Sequence, residues 1–218
     1  KLMEEVILAY SDEMKITTAR FANLAFSNGS LLAGFIERLM KQQPFSCPAD
    51  VRRYFVSPAE SGQICLLACM LGNSGEIIFP KLDPGKDLVA LKDIAIKLLT
   101  ELQYEPYACS SETEAREMAA NLKDNRYPVY FFESDTSGEK LYEEFYTDKE
   151  DLDLERFHAL GVIRNAERRD KKELDHVINE LESLFARKVG KEDVVRTLNK
   201  LLPTFQHIET GLNLDQKM

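Results

Sequence analysis

Short strand-like runs alternate with amphipathic helices along this 218-residue chain, and that alternation limits the possible folds more than any other feature. Runs rich in β-branched and aromatic residues predict strands at 16–26, 54–56, 75–81 and 127–132, the last being the final strand. Helical spacing of apolar residues predicts helices at 2–10, after Gly29, and over 58–71, 89–102 and 112–122. This order predicts an α/β fold.

Composition excludes several classes of function. A hydrophobic content of 44% suits a packed core, and a net charge of −9 argues against binding to nucleic acid or an anionic membrane surface. The cysteines and histidines lack metal-ligand spacing, so we expect no metal site. We find neither a signal peptide nor an apolar run near the ~20 residues of a membrane span. The cysteine pattern fits reduced thiols better than a disulfide framework. Together with the lack of a signal peptide and of a membrane span, it favours a location in the cytoplasm.

The composition changes at Asp170. From there, a narrow apolar stripe runs along one face of a heavily charged helix. Gly190 breaks this helix, and a shorter helix follows and ends at Pro203. We therefore divide the chain into a main portion, 1–165, and a helical C-terminal appendage, 166–218. Within the main portion, Ser57 with Glu60 and Ser111 with Glu114 have the spacing of capping boxes that begin helices.

Three segments are candidates for ligand binding. The turn Phe26-Ser-Asn-Gly-Ser30 lies between a predicted strand and a helix, where unpaired backbone N–H groups favour an anionic or polyhydroxyl ligand. Arg52-Arg-Tyr-Phe55 offers a guanidinium fork suited to a diphosphate, and alternation along a strand lets only one of the two arginines reach the ligand. Gly138-Glu-Lys-Leu-Tyr-Glu-Glu144 is the most specific of the three. Each also has an ordinary explanation, as a tight connection, a surface pair or a charged helix start.

In this order the three segments resemble the substrate-binding half of an extended short-chain dehydrogenase/reductase acting on nucleotide sugars. The nearest likeness is the polysaccharide-biosynthesis branch that contains the UDP-N-acetylglucosamine 4,6-dehydratases, and it covers roughly residues 1–165. It implies the C-terminal part of an extended Rossmann-type fold: the substrate-binding domain, the last sheet strands and a helical tail. The chain departs from it at Thr136-Ser137, where relatives have Arg-Pro, which removes one expected phosphate contact.

The resemblance also implies roles for individual residues. Those that it puts near the substrate are Asn23, Ser27, Asn28, Ser30, Arg53, Glu139 and Lys140. Arg20 belongs to the same segment, with a structural ion pair as an equal alternative. Lys1 resembles either the lysine of a catalytic Tyr-x-x-x-Lys pair or the residue after it, the latter being favoured, and is the one candidate for cofactor contact or catalysis.

The implied function is the substrate-binding half of a nucleotide-sugar 4,6-dehydratase or epimerase for a UDP-N-acetylhexosamine, in surface polysaccharide or glycan synthesis. No Gly-rich dinucleotide loop, opening βαβ unit or Tyr-x-x-x-Lys pair occurs. We therefore expect NAD or NADP to be bound by an N-terminal half upstream, without which the chain is inactive. We also expect a homo-oligomer, with no nucleic-acid partner and no direct membrane contact, although relatives can carry an upstream anchor. The alternative is a non-catalytic oligomerisation or regulatory module that uses the amphipathic helices.

Overall fold

The computed structural model describes residues 1–122, 124–134, 143–203, 205 and 207. The helices are Leu2–Leu8 (α1), Leu31–Met40 (α2), Pro58–Leu71 (α3), Leu91–Glu101 (α4), Glu112–Ala120 (α5), Lys171–Ala186 (α6) and Lys191–Leu201 (α7). The strands are Thr18–Ala19 (β1), Asn23–Leu24 (β2), Phe45–Pro48 (β3), Arg52–Arg53 (β4), Phe55–Val56 (β5), Ile77–Pro80 (β6), Val89–Ala90 (β7), Glu105–Cys109 (β8), Arg126–Phe132 (β9), Leu152–Asp153 (β10) and Leu160–Ile163 (β11). The fold is mixed α/β, as the alternation predicts.

Two compact units share the chain. The first unit contains residues 1–20, 62–81 and the described residues from Phe145 onward. The second unit contains residues 21–61 and the described residues of 82–144. The predicted division at 165/166 stays a prediction.

A four-stranded sheet forms the centre of the first unit, in the order β1-β6-β11-β10. β1 and β6 are parallel and the other pairs are antiparallel, and every residue of β6 and β11 is buried. Ile78 and Val162 are partners across the sheet and pack on Ile64 of α3. Gly161 lies opposite Phe79, and a Cβ at Gly161 would overlap the ring of Phe79, so only glycine fits there.

The two tail helices bury their apolar stripes within the first unit. Leu174, Val177 and Leu181 of α6 form a cluster with Leu201 of α7, against which residues of α1 pack. Arg169, just before α6, donates from Nε to a carboxylate oxygen of Glu5 at 3.0 Å. This ion pair links α1 to the start of the tail. It is largely buried, since the side chain of Glu5 is only 4% exposed.

The second unit is built on the parallel sheet β3-β9-β8. Helices α2 and α4 contribute to its core, in which the rings of Phe35 and Phe45 stack at 4.6 Å. Tyr127 packs edge-on against Phe45 and donates its hydroxyl to the carbonyl oxygen of Gln43 at 2.6 Å. Burial raises the pKa of Tyr127 to about 12. Two small sheets, β2-β5 and β4-β7, belong to the same unit.

The structure corrects two strand predictions. The run Ile16–Phe26 is not one strand, because β1 pairs with β6 in the first unit whereas β2 pairs with β5 in the second. Arg20 lies between them, and its partly buried guanidinium bonds carboxylates rather than continuing an apolar strand. Residues 127–132 are not the final strand either, since β10 and β11 follow.

The helix starts agree with the sequence-based predictions better than the strands do. Ser57 and Glu60 form both bonds of a capping box, Ser57 N–H to the Glu60 carboxylate at 2.6 Å and Glu60 N–H to Ser57 Oγ at 3.2 Å. The second box forms only in part: Glu114 N–H donates to Ser111 Oγ, but the Glu114 carboxylate accepts from Ser110. Across the described ranges, no helix combines the length and apolar character needed to cross a bilayer.

Candidate functional site

The second unit brings the first two candidate segments together through the pairing of β2 with β5. These strands run parallel, with Asn23 opposite Phe55 and Leu24 opposite Val56. Asn23 N–H donates to the carbonyl oxygen of Tyr54 at 2.9 Å, which fixes the start of the turn segment beside the arginine segment. The pairing of these short strands therefore holds together residues that are about thirty positions apart in the chain.

Arg53 connects the second candidate segment to the third. Its Nε lies 3.7 Å from a carboxylate oxygen of Glu143, the sixth residue of Gly138-Glu-Lys-Leu-Tyr-Glu-Glu144. The Arg53 side chain is 13% exposed and that of Glu143 34%. Its Nη1 also donates to the carbonyl oxygen of Arg52 at 2.8 Å. The guanidinium is thus largely covered and held by several contacts, whereas the neighbouring Arg52 is exposed.

Glu139 and Lys140 lie outside the described residues, so their predicted ligand contacts stay predictions. Glu143 is the member of this motif that the structure describes next to Arg53. Glu143 is not one of the predicted site residues. Its position in Gly138–Glu144, the most specific motif, could have drawn attention to it. However, the sequence of a charged run does not reveal which arginine an acidic residue in it approaches.

Two consecutive turns make up the segment between β2 and α2. Ser27 N–H donates to the Leu24 carbonyl at 3.3 Å, and Ser30 N–H donates to the Ser27 carbonyl at 2.9 Å. Ser30 Oγ accepts from Ala33 N–H at 3.2 Å and caps α2. The amides of Ser27 and Ser30 are therefore used inside the segment. Asn28 is exposed, and Asn23 and Ser27 are half-buried.

Arg20 and Lys1 belong to a charge network in the first unit. The Arg20 guanidinium donates to Glu4 at 2.8 and 2.9 Å, to Glu150 at 2.7 and 3.2 Å, and to the Phe145 carbonyl at 2.7 Å. Lys1 Nζ donates to Glu4 at 2.9 Å. Burial tends to raise the pKa of Glu4, but Arg20 and Lys1 outweigh it and lower that pKa to about 2. Of the two alternatives for Arg20, the ion pair is the one that the structure contains.

Among the described residues, the thiols and metal-binding side chains add no further site. Within the part of the chain that the structure describes, no three His, Cys, Asp or Glu side chains are grouped as metal ligands. The four cysteines are free thiols. Burial raises the pKa of Cys47 to about 12, so this thiol is not a nucleophile near neutral pH.

Comparison with known proteins supplies the wider context. The model of the family described as "Polysaccharide biosynthesis protein" matches residues 1–165. The uncharacterized membrane protein MJ1061 of Methanocaldococcus jannaschii is 27% identical over 148 residues, which are 67% of this chain and 39% of that protein. The X-ray structure of Pen from Bacillus thuringiensis has a similar fold, with a TM-score of 0.56 and 18% identity over 81% of this chain and 54% of that one. The chain thus spans roughly half or less of these relatives.

Proposed function

Because this chain belongs to the polysaccharide biosynthesis protein family, we propose that its second unit binds the diphosphate of a nucleotide sugar through Arg53. The ligand is a UDP-N-acetylhexosamine, and the protein of which this chain forms a part is a 4,6-dehydratase or epimerase. Membership of the family itself supports a role in polysaccharide biosynthesis. The nucleotide-sugar assignment rests on the pairing of β2 with β5 and on the contacts of Arg53.

The convergence of the three candidate segments carries the proposal. β2 and β5 join the turn segment to the arginine segment, and Arg53 joins the arginine segment to Glu143. Arg53 thus has Glu143 of the third segment beside its largely covered guanidinium, and the turn segment begins just beyond the strand that pairs with β5. In a chain of net charge −9, an anionic ligand needs such a local cation. A bond from arginine to a phosphate oxygen contributes about 1.5–3 kcal/mol.

Glu143 has a positioning role in this proposal. A guanidinium carries several N–H donors in a fixed plane, so an acid on its Nε side orients the plane while other donors serve a phosphate. The 3.7 Å separation between Arg53 Nε and the Glu143 carboxylate is an ion-pair distance, so this carboxylate is placed to orient the guanidinium. The half-buried Asn23 and Ser27 would then contact hydroxyl groups of the ribose.

NAD or NADP is the cofactor that such a reaction requires, and the described residues do not form a dinucleotide site. The sequence has no Gly-rich loop for a dinucleotide diphosphate. Lys1, the candidate for cofactor contact, has its ammonium bonded to Glu4. We therefore assign no redox or proton-transfer step to these residues. Their contribution is to bind and orient the nucleotide sugar.

Substitution of neighbouring arginines tests the proposal. Isothermal titration calorimetry with UDP should give a dissociation constant at least tenfold higher for Arg53→Ala, about 1.4 kcal/mol. Arg52→Ala is the matched control, because it removes the same charge from the adjacent, exposed position and should leave the affinity within twofold. Arg53→Lys keeps the charge but loses the planar fork, and should bind with intermediate affinity. Equal UDP affinity in the Arg53→Ala and unmodified proteins would contradict the proposal.

A non-catalytic oligomerisation module is the second candidate. It is favoured by exposed apolar side chains on α1 and α3, among them Met3, Ile7, Leu66 and Met70. The tail helices support it less, because the stripe of α6 packs against α7 and α1. Concentration-dependent self-association without UDP binding would favour this second function over the first.

A further inference from the structure

Phe26 occupies a backbone position that normally belongs to glycine. The turns Leu24–Ser27 and Ser27–Ser30 are each closed by a hydrogen bond from the fourth residue to the first. Each has a positive φ at its third residue, 76° at Gly29 and 58° at Phe26. A turn with positive φ at the third position favours Gly or Asn, because a Cβ crowds the backbone there. The second turn follows this rule, and the first departs from it.

The departure is unusual within the described part of this chain. The other non-glycine residues with positive φ there all directly follow the C-cap of a helix, and they are Gln42, Gln103 and Lys188. A left-handed residue is common after a helix, where it closes the last turn. Phe26 follows a strand and is aromatic, so that explanation does not apply to it.

Burial does not compensate for the strained backbone. The Phe26 side chain is 59% exposed, whereas the core rings of Phe35 and Phe45 are fully buried. Phenylalanine at this position therefore disfavours the folded state through its backbone and leaves an apolar ring in water. Residues that break a local rule without a structural gain are typical of ligand-binding sites.

We propose that the ring of Phe26 stacks on the nucleobase of the bound nucleotide, an inference that rests on the proposed function. Phe26 lies two residues beyond Leu24, and Arg53 lies three residues before Val56, the β-sheet partner of Leu24. At about 3.3 Å per residue, a fully extended path would put the two roughly 17 Å apart at most, and the turn at Phe26 shortens that distance. In a nucleotide sugar the ribose separates the base from the diphosphate, whereas the hexose is attached to it directly. The base is therefore the planar group that can reach Phe26 while Arg53 holds the phosphates.

Phe26→Gly tests this inference, because the binding and folding effects have opposite signs. Glycine accepts the positive φ, so the variant should unfold at a higher urea concentration than the unmodified protein. Loss of the ring should raise the dissociation constant for UDP about fivefold to a hundredfold. The affinity for inorganic pyrophosphate, which has no base, should stay the same. Gln42→Gly is the matched control: it relieves a similar φ of 53° and should leave UDP binding unchanged.

The outcomes separate this inference from the proposed function. If Phe26→Gly binds UDP like the unmodified protein while Arg53→Ala does not, stacking is wrong and the diphosphate site stands. If the unmodified protein binds neither UDP nor pyrophosphate, both are wrong. Two further variants decide the matter should Phe26→Gly fail to fold. Phe26→Trp keeps an aromatic ring and should bind UDP. Phe26→Asn tolerates the positive φ but has no ring, so it should bind UDP weakly. Equal UDP affinities of these two variants would overturn the inference.

Discussion

Glu4→Gln should destabilise the protein, because it removes a charge from the Arg20 network. The Glu4 side chain is 14% exposed and accepts two bonds from Arg20 and one from Lys1. These contacts outweigh burial and lower its pKa from 4.5 to about 2. At about 1.36 kcal/mol for each pKa unit, the ionised form contributes about 3 kcal/mol to folding.

The sign of the pH dependence follows from the lowered pKa. Glu4 releases its proton more readily in the folded state, so its contribution is complete above about pH 5 and decreases as the pH falls toward 2. About three fifths of it should be lost at pH 3. Urea unfolding followed by circular dichroism should give a difference between unmodified and Glu4→Gln proteins of about 3 kcal/mol at pH 7 and about 1 kcal/mol at pH 3.

Glu37→Gln provides the control for this experiment. Glu37 pairs with Lys41 on the surface of α2, where both side chains are more than half exposed, so we expect no measurable change in stability. Equal stability of the Glu4→Gln and unmodified proteins at pH 7 would refute the reasoning. A difference that did not depend on pH would also refute it, because ionisation would then not be its cause.

Two predictions concern buried groups in the second unit and the exposed thiols of α3. Tyr127→Phe removes the hydroxyl that donates to the Gln43 carbonyl, and urea unfolding should show a loss of about 1–2 kcal/mol; no loss would contradict that hydrogen bond. Alkylation of the native protein at pH 8, followed by mass spectrometry, should modify Cys65 and Cys69 and leave Cys47 unmodified until unfolding, because burial raises its pKa to about 12. Rapid labelling of native Cys47 would contradict its burial.

The sequence predicted best those features whose partners are close along the chain. The capping box of Ser57 and Glu60 forms as expected, because its two residues are three positions apart. Long-range pairing was less predictable. The break between β1 and β2 depends on the partners of Arg20, one of which, Glu150, is distant in sequence. β11 is a four-residue apolar run, and a run this short does not reveal its strand partner.

The candidate site was predictable in its segments but not in all its contacts. Resemblance to a family selected Arg53 and the Gly138–Glu144 motif, and the structure describes Arg53 beside Glu143. It gave no reason to select Glu143 over its neighbours, because facing residues become evident only in three dimensions. Phe26 was also missed. The available signal was the repeated turn spacing, in which Gly29 fits a positive φ and Phe26 does not.

Titration of UDP into ¹⁵N-labelled protein, followed by NMR, tests the central claim most directly. The account predicts that the backbone amides of Ser27, Arg53 and Glu143 shift together along one saturable binding curve, because all three border the same ligand. The amide of Arg116, on the exposed face of α5, should not move. Saturable shifts confined to residues outside these segments, or no shifts at millimolar UDP, would contradict a nucleotide-sugar site at Arg53.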